Sequence, residues 1–232
     1  MTPRGSQRSP QPRPAPEPRA GQITRLSPQT HDPDRLNVEL DGEFAFGIGA
    51  ELAEATGLAA GMNLTVEQVK ELLARDQVGK AIEAAIRLLT RRPRSEREIR
   101  QRLRQKGFDA PAIDAAIARL EDWRYLDDAD FARFWVENRE SHKPRGRRLL
   151  EQELRQKGID RDLITETIDA AELDERAAAL DLGRAKLRTY GGLDTMTTRR
   201  RLGSYLARRG YDFSVVRATL DQLLGEDDVA DE

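Results

Sequence analysis

The sequence predicts a mainly α fold: three tandem three-helix repeats in an elongated, curved array, behind a small N-terminal segment that contains a β-hairpin. Three observations predict it. Leu-Arg-Gln-Lys-Gly occurs at Leu103 to Gly107 and again at Leu154 to Gly158, with a looser copy, Leu-Ala-Arg-Arg-Gly, at Leu206 to Gly210. The three glycines lie 51 and then 52 residues apart, a period that marks stacked copies of one helical unit. Apolar residues alternate before residue 60 and recur at helical spacing after Thr65.

Residues 1–21 hold six of the eleven prolines, four arginines and almost nothing apolar, the composition of a disordered leader. Residues 22–64 read as a small β-rich segment. Leu36 to Leu40, the turn Asp41-Gly42 and Glu43 to Phe46 form a hairpin pattern, and Ile23, Leu26 and Ile48 continue the alternation. Two or three short strands are marginal alone, so the segment is expected to pack on the helices behind it. Ala50 to Ala55 adds a helical turn ending before Gly57.

Thr65-x-x-Gln68 opens a connecting helix over 65–76 as a capping box, with Val66, Val69, Leu72 and Leu73 on one face. The repeats follow over 77–121, 122–171 and 172–224. Their helices are expected near 77–90, 95–106 and 110–121; near 128–141, 147–157 and 161–170; and near 173–189, 198–209 and 214–224. In the second helix of each copy Ile99 and Leu103, Leu150 and Leu154, and Leu202 and Leu206 are four apart, hence on one face. The third helix matches with Ile113 and Ile117, Ile164 and Ile168, and Val216 and Leu220. Between them, glycine supplies the left-handed stop and Asp109 or Asp160 caps the next helix, with Ser214 competing with Asp212 in the third copy. Ser95-x-x-Glu98 is a second capping box, and Asp127 is an N-cap with Leu126 stapled on Phe131. Residues 225–232 form an acidic tail.

Composition limits function. Lys and Arg number 39 against 41 Asp and Glu, a net charge of −2, so no global field draws in nucleic acid and any attraction must come from local segregation. There is no cysteine, which excludes disulfides and thiolate metal sites. No apolar run reaches the roughly 20 residues of a membrane span, and a cytoplasmic protein is expected.

No enzyme constellation is present, and no catalytic, cofactor or metal site is expected. His31 and His142 are far apart in polar loops, Asp127-Asp128 reads as a helix start, and Gly191-Gly192 and Gly47-x-Gly49 lack the context of a phosphate or dinucleotide loop. Trp123, Tyr125, Phe131, Phe134 and Trp135 crowd one junction, and their spacing makes Phe131, Phe134 and Trp135 core residues before a base-stacking platform.

What remains is basic charge. Arg91, Arg92, Arg94 and Arg97 precede or open the second helix of copy one; Lys143, Arg145, Arg147 and Arg148 do so in copy two, and Arg199, Arg200 and Arg201 in copy three. Cations at a helix C-terminus complement the macrodipole, which accounts for Lys106, Lys157 and Arg209; cations at a helix start oppose it. A cost repeated three times predicts a shared stripe for an anionic partner, either phosphates or an acidic protein surface.

Arg92-Pro93-Arg94-Ser95-x-x-Glu98-Ile99-x-x-x-Leu103-x-x-Lys106-Gly107-Phe108, then Tyr125-Leu126-Asp127-Asp128-x-x-Phe131-Ala132, then Gly146-x-x-x-Leu150-x-x-Glu153-Leu154-x-x-Lys157-Gly158-Ile159 resemble the RecX family of recombinase regulators over about 77–224. The segment from Gly21 to about Gly61 resembles an N-terminal extension of some members. The resemblance implies a helical array that lodges in the groove of RecA filaments on DNA. It also implies a non-enzymatic, usually negative, modulator of filament growth, ATP hydrolysis and strand exchange. The family has no catalytic residues to carry over. Arg94, Arg97, Lys143, Arg145, Arg147 and Arg148 are the preferred contacts on the basic face. The third copy's Arg-Arg-Gly and the proline-rich leader depart from the family pattern. An array with capped ends needs no second copy to fold, so a monomer is expected. The alternatives are a direct DNA-binding helical repeat without a recombinase partner, and a scaffold for an acidic protein.

Overall fold

The computed structural model describes residues 17–225. The sequence-predicted leader and acidic tail fall outside them, except for 17–21 and Gly225. In chain order the elements are β1 (Gly21–Gln29), β2 (Asp32–Leu40), β3 (Glu43–Gly49), α1 (Ala50–Ala55), β4 (Asn63–Leu64), α2 (Val66–Leu89), α3 (Glu96–Gln105), α4 (Ala110–Asp122), α5 (Asp128–His142), α6 (Arg147–Lys157), α7 (Arg161–Ala170), α8 (Glu175–Leu187), α9 (Thr195–Arg208) and α10 (Phe213–Leu224). The described residues group into two compact units: those up to Glu83 with Phe108–Ala116, and Ala84–Gly107 with those from Ile117 to Gly225.

In the first unit four antiparallel strands lie in the order β3-β2-β1-β4. Leu40 pairs with Glu43 across Asp41-Gly42, both at positive φ (52° and 84°), the conformation a two-residue hairpin turn needs. Ile23, Val38, Leu40, Phe46 and Ile48 point to one buried face and pack with Val69 and Leu72 of α2. The strands run further than the hairpin pattern suggested. Gly21, placed by composition in the leader, pairs with Leu64 of β4, and Arg19 just before it reaches Glu43 at 2.8 Å. Apolar periodicity carries no signal for a two-residue strand such as β4.

The connecting helix and the first helix of copy one are a single 24-residue helix, α2. The Thr65–Gln68 box forms in both directions, at 2.8 and 3.2 Å. Nothing between 76 and 79 can end the helix: Gly79 inside a helix costs only about 1 kcal/mol. Asp76, buried, is held by Arg35 (2.9 Å), Lys80 (2.8 Å) and the Gly49 N–H (2.9 Å).

The second unit holds the remaining repeat helices. Phe131, Val136, Leu150, Leu154, Ile159, Ile164 and Ile168 form the core of copy two, and Ala179, Leu202, Leu206, Tyr211, Val216 and Leu220 that of copy three. The bulky residue after the glycine, Ile159 or Tyr211, plugs each corner as expected. Gly158 and Gly210 take φ of 89° and 91°. Asp160 accepts from the Asp162 N–H at 2.8 Å and Asp212 from that of Val215 at 3.0 Å; Ser214 donates to Asp212 instead of replacing it. In copy three the starts of the first two helices move by two and three residues. Asp174 and Asp194 cap Ala177 (3.0 Å) and Thr197 (2.8 Å), so α8 begins at Glu175 and α9 at Thr195.

Candidate partner-binding face

The second helices of the three copies, α3, α6 and α9, are joined by one repeated device. The residue before α3, Ser95, donates its Oγ to the Lys157 carbonyl at the end of α6 (2.7 Å). The equivalent residue before α6, Gly146, donates its N–H to the Arg209 carbonyl at the end of α9 (2.9 Å). A carboxylate from the next copy then meets the first amide of each helix: Asp128 accepts from Glu96 N–H at 2.9 Å, and Glu175 from Arg147 N–H at 2.7 Å. The helices therefore follow head to tail, α9 to α6 to α3, and free N–H groups at each start are satisfied across the joint.

The Ser95 capping box is only half built. Its Oγ accepts from the Glu98 N–H (3.3 Å), but the Glu98 carboxylate turns away to Arg92 (3.1 Å, bidentate) and to Lys157 Nζ (2.8 Å). Burial by itself would raise this carboxyl; the hydrogen bonds from Arg92 and Lys157 outweigh it and hold Glu98 at about 2. Asp128 moves the other way, raised by burial and then by the charges of Glu96, Glu121 and Asp127 against its one backbone bond.

The eleven basic residues of the predicted stripe separate into two sets. Arg92 is tied to Glu98, Arg94 to the Leu88 carbonyl (3.2 Å), Arg145 lies 3.5 Å from Glu153, and Arg147 bridges Glu151 (3.0 Å) and Asp169 (2.6 Å). Arg199 binds Asp221 at 2.8 Å and the Gly225 carbonyl. These five act largely within the fold. Arg91, Arg97, Lys143, Arg148, Arg200 and Arg201 are exposed, with no carboxylate partner among the described residues. Because α9 starts at Thr195, Arg199 to Arg201 sit in its second turn, so the macrodipole argument does not apply to them.

Three of the exposed set, Arg97, Arg148 and Arg200, occupy one equivalent position in α3, α6 and α9. Four and seven residues on, the same faces carry exposed Gln101 and Arg104, Gln152 and Arg155, and Ser204 and Ala207. A row of cations and short polar groups thus runs along the head-to-tail helices. Arg104 and Arg155 lie near the C-terminal ends of α3 and α6, outside the helix-start clusters from which the stripe is read in the sequence; superposing the copies at the 51-residue offset would have found them. Gly158 has a second role here: a Cβ on it would lie 2.6 Å from Arg97 Cδ, so the glycine makes room for the arginine stem.

The aromatic junction is less buried than its spacing predicted. Phe131 is in the core and Trp135 half-buried, its Nε1 donating to Glu153 (2.9 Å) and its ring faced by Arg139 and Lys157 at 4.1 and 4.7 Å. Phe134 is 40% exposed, Trp123 49% and Tyr125 59%. No group of His, Asp and Glu able to hold a metal occurs among the described residues, and none of their helices is long and apolar enough to cross a membrane.

Three stacked three-helix units behind a small sheet define a helical-repeat protein. Residues 21–65 match the Regulatory protein RecX N-terminal domain, and residues 81–120, 127–168 and 174–220 match the first, second and third three-helix domains of RecX. Regulatory protein RecX of Bacillus velezensis is 34% identical over 208 residues, covering 89% of this chain and 79% of its own. That of Bacillus subtilis is 32% identical over 207 residues, covering 89% and 78%. The chain belongs to the RecX family. A crystal structure of regulatory protein RecX superposes with a TM-score of 0.71 at 22% identity, over 88% of this chain and 98% of the other. That of RecX from Lactobacillus salivarius gives 0.58 at 18%, over 64% and 97%.

Proposed function

We propose that this chain is a non-enzymatic cytoplasmic regulator that binds RecA recombinase filaments on DNA and limits filament growth, ATP hydrolysis and strand exchange. The observation that carries the reading is the exposed row Arg97, Arg148 and Arg200, with Arg104 and Arg155 in line. A cation without a carboxylate partner, repeated at one position of three stacked helices, suits a repeating anion, and a nucleoprotein filament presents phosphates repeatedly along its strand. Arg91, Lys143 and Arg201 flank the row and complete the contact. Arg92, Arg94, Arg145, Arg147 and Arg199 hold the turns in shape and contribute field.

The test is the ATPase rate of the cognate recombinase on single-stranded DNA with this protein titrated in. The parent chain is expected to lower the rate at substoichiometric amounts. Arg97→Glu, Arg148→Glu and Arg200→Glu together are expected to raise the concentration needed at least about tenfold, while helix content stays unchanged. These three are the informative choice because none supports an internal ion pair, whereas changing Arg145 or Arg147 would disturb the fold. Inhibition unaltered by the triple variant would remove the row as the contact. Tight binding to bare DNA without any effect on the recombinase would make the chain a direct DNA binder.

A further inference from the structure

The joint between copies one and two carries a groove that its counterpart between copies two and three lacks, and the difference lies in identifiable residues. The first groove has a volume of about 490 Å³ and is formed by Leu89, Pro93, Arg94, Tyr125, Phe131 and Phe134, among others. The equivalent place in the second joint, around Glu140, Pro144, Arg145, Leu173 and Ala178, has closed to about 30 Å³. The two are built to one plan. Proline and arginine recur at the 51-residue offset, as Pro93-Arg94 and Pro144-Arg145, and each groove is bounded by the start of the next copy.

Two exchanges separate them. Glu140, beside Arg145, stands where copy one has Leu89; Glu153, 3.5 Å from Arg145 Nε, stands where copy one has Arg102. Arg145 thus has a carboxylate of the fold, Glu153, within ion-pair distance, and a second, Glu140, on the wall of the same pocket. Arg94 has lost both. Its Nε is spent on the Leu88 carbonyl, it pairs with no carboxylate among the described residues, and its neighbours include Arg91, Arg92 and Arg102. Burial, and then repulsion from those arginines against the weaker pull of Glu98, lowers its pKa from the ordinary value. The other charges on the groove are already matched: Asp127 caps α5 and lies 3.6 Å from Arg124, and Asp130 pairs with Arg133. The positive charge at the Arg94 end is the one left without an opposite. Beside it, Tyr125 and Phe134 stand exposed where a core would have buried them, and Trp123 packs edge-on to Tyr125 with ring centres 6.4 Å apart.

We infer that this groove is a docking site for an extended segment of a partner protein in which a carboxylate side chain neighbours an aromatic or large aliphatic one. The carboxylate takes the place that Glu140 and Glu153 fill in the second joint, meeting the outward nitrogens of Arg94. The apolar side chain lies between Tyr125, Phe134 and Leu89, removing two exposed aromatic faces from water. A protein segment suits the site better than a nucleic acid strand, because Leu89, Pro93, Phe131 and Phe134 line it with apolar groups that offer a base edge no hydrogen bond, and the corresponding place in the second joint is filled by protein carboxylates. The inference goes beyond the reading above and does not depend on it: this groove recognises a protein segment, whereas the arginine row recognises phosphates.

The experiment uses the full chain and a fluorescein-labelled decapeptide of glutamates interrupted by two phenylalanines, followed by fluorescence anisotropy. The matching probe has serine at both phenylalanine positions. The first peptide is expected to bind in the micromolar range and the serine peptide at least about tenfold more weakly. Tyr125→Ser with Phe134→Ser, both at exposed positions, is expected to reduce binding of the first peptide by at least about tenfold. The row variant Arg97→Glu with Arg148→Glu should bind it as the parent does. Leu89→Glu with Arg102→Glu transplants the second joint's carboxylates and should abolish binding with no loss of thermal stability. Equal binding of the two peptides, indifference to the Tyr125 and Phe134 changes, or no binding at millimolar peptide would overturn the inference. Displacement of the peptide by a thymidine oligonucleotide that itself needs Tyr125 and Phe134 would make a nucleic acid strand the occupant and overturn it equally.

Discussion

At the scale of single residues, Glu98 bears the greatest consequence. It lies in α3, yet one of its three hydrogen bonds comes from Lys157 of the following copy, whose backbone carbonyl also receives Ser95. Its carboxyl titrates at about 2 in the fold against an ordinary 4.5. The folded pKa is depressed, so the stabilisation is fully present above about pH 4.5 and is lost as pH falls towards 2. Glu98→Gln keeps an acceptor but gives up the charge, and is expected to cost about 1–3 kcal/mol at pH 7. Urea midpoints followed from pH 7 down to pH 3 should fall less steeply for the variant than for the parent. Parallel curves would mean that Glu98 contributes through shape alone. The same residue shows why a motif is not yet a geometry. Ser95-x-x-Glu98 has the spacing of a capping box, but two cations outcompete one backbone amide for the carboxylate.

At the scale of elements, the two joints reach one hydrogen-bond plan by different chemistry. Ser95 spans its joint with a side chain; Gly146 has none, and backbone meets backbone. A Cβ on Gly146 would overlap the Gly210 carbonyl, which cannot swing aside as a side-chain tip can. Gly146→Ala is therefore expected to cost about 3 kcal/mol and lower the melting temperature by several degrees. Gly79 in α2 has nothing within 4 Å of its virtual Cβ, so Gly79→Ala should instead stabilise by about 0.5–1 kcal/mol. Calorimetric melting of the two variants beside the parent separates the effects; a neutral Gly146→Ala would show that the joint opens at little cost.

The second and third helices of the repeats were legible because each carries apolar residues four apart, and the second runs into a glycine with an aspartate two residues on that caps the third, signals that lie within a dozen residues of one another. The continuous α2, the two-residue β4 and the start of α9 were not, since each is decided by partners remote in sequence or by a cap that composition does not rank. The candidate site divides in the same way. The stripe was visible as arginine clusters, but which arginines are spent internally depends on Asp169, Asp221 and Glu153, and the groove emerges only when the copies are compared position by position.

At the scale of the whole molecule, the sum of charges and their placement say different things. A net charge of −2 gives no long-range pull on nucleic acid, so any salt-sensitive attraction must come from the local row. In that row Arg97 and Arg148 each sit in the first turn of a helix whose start is pinned to the end of the next, and Arg200 takes the equivalent repeat position in the second turn of α9, whose end carries the second joint. Phosphates neutralised by such a row release counterions, and for a single strand each contributes about 0.7 to the slope of log K against log salt. Binding to recombinase-coated oligonucleotide, measured at several potassium chloride concentrations, is therefore expected to weaken with salt. Its slope should shrink by about 2 when the three arginines become glutamine, since three such contacts at about 0.7 each are removed. Glutamine removes the charge and keeps a polar, hydrogen-bonding head on a shorter stem, so the change in slope reads the loss of charge. Weaker binding with an unchanged slope would mean that the row meets protein and that the phosphates are met elsewhere.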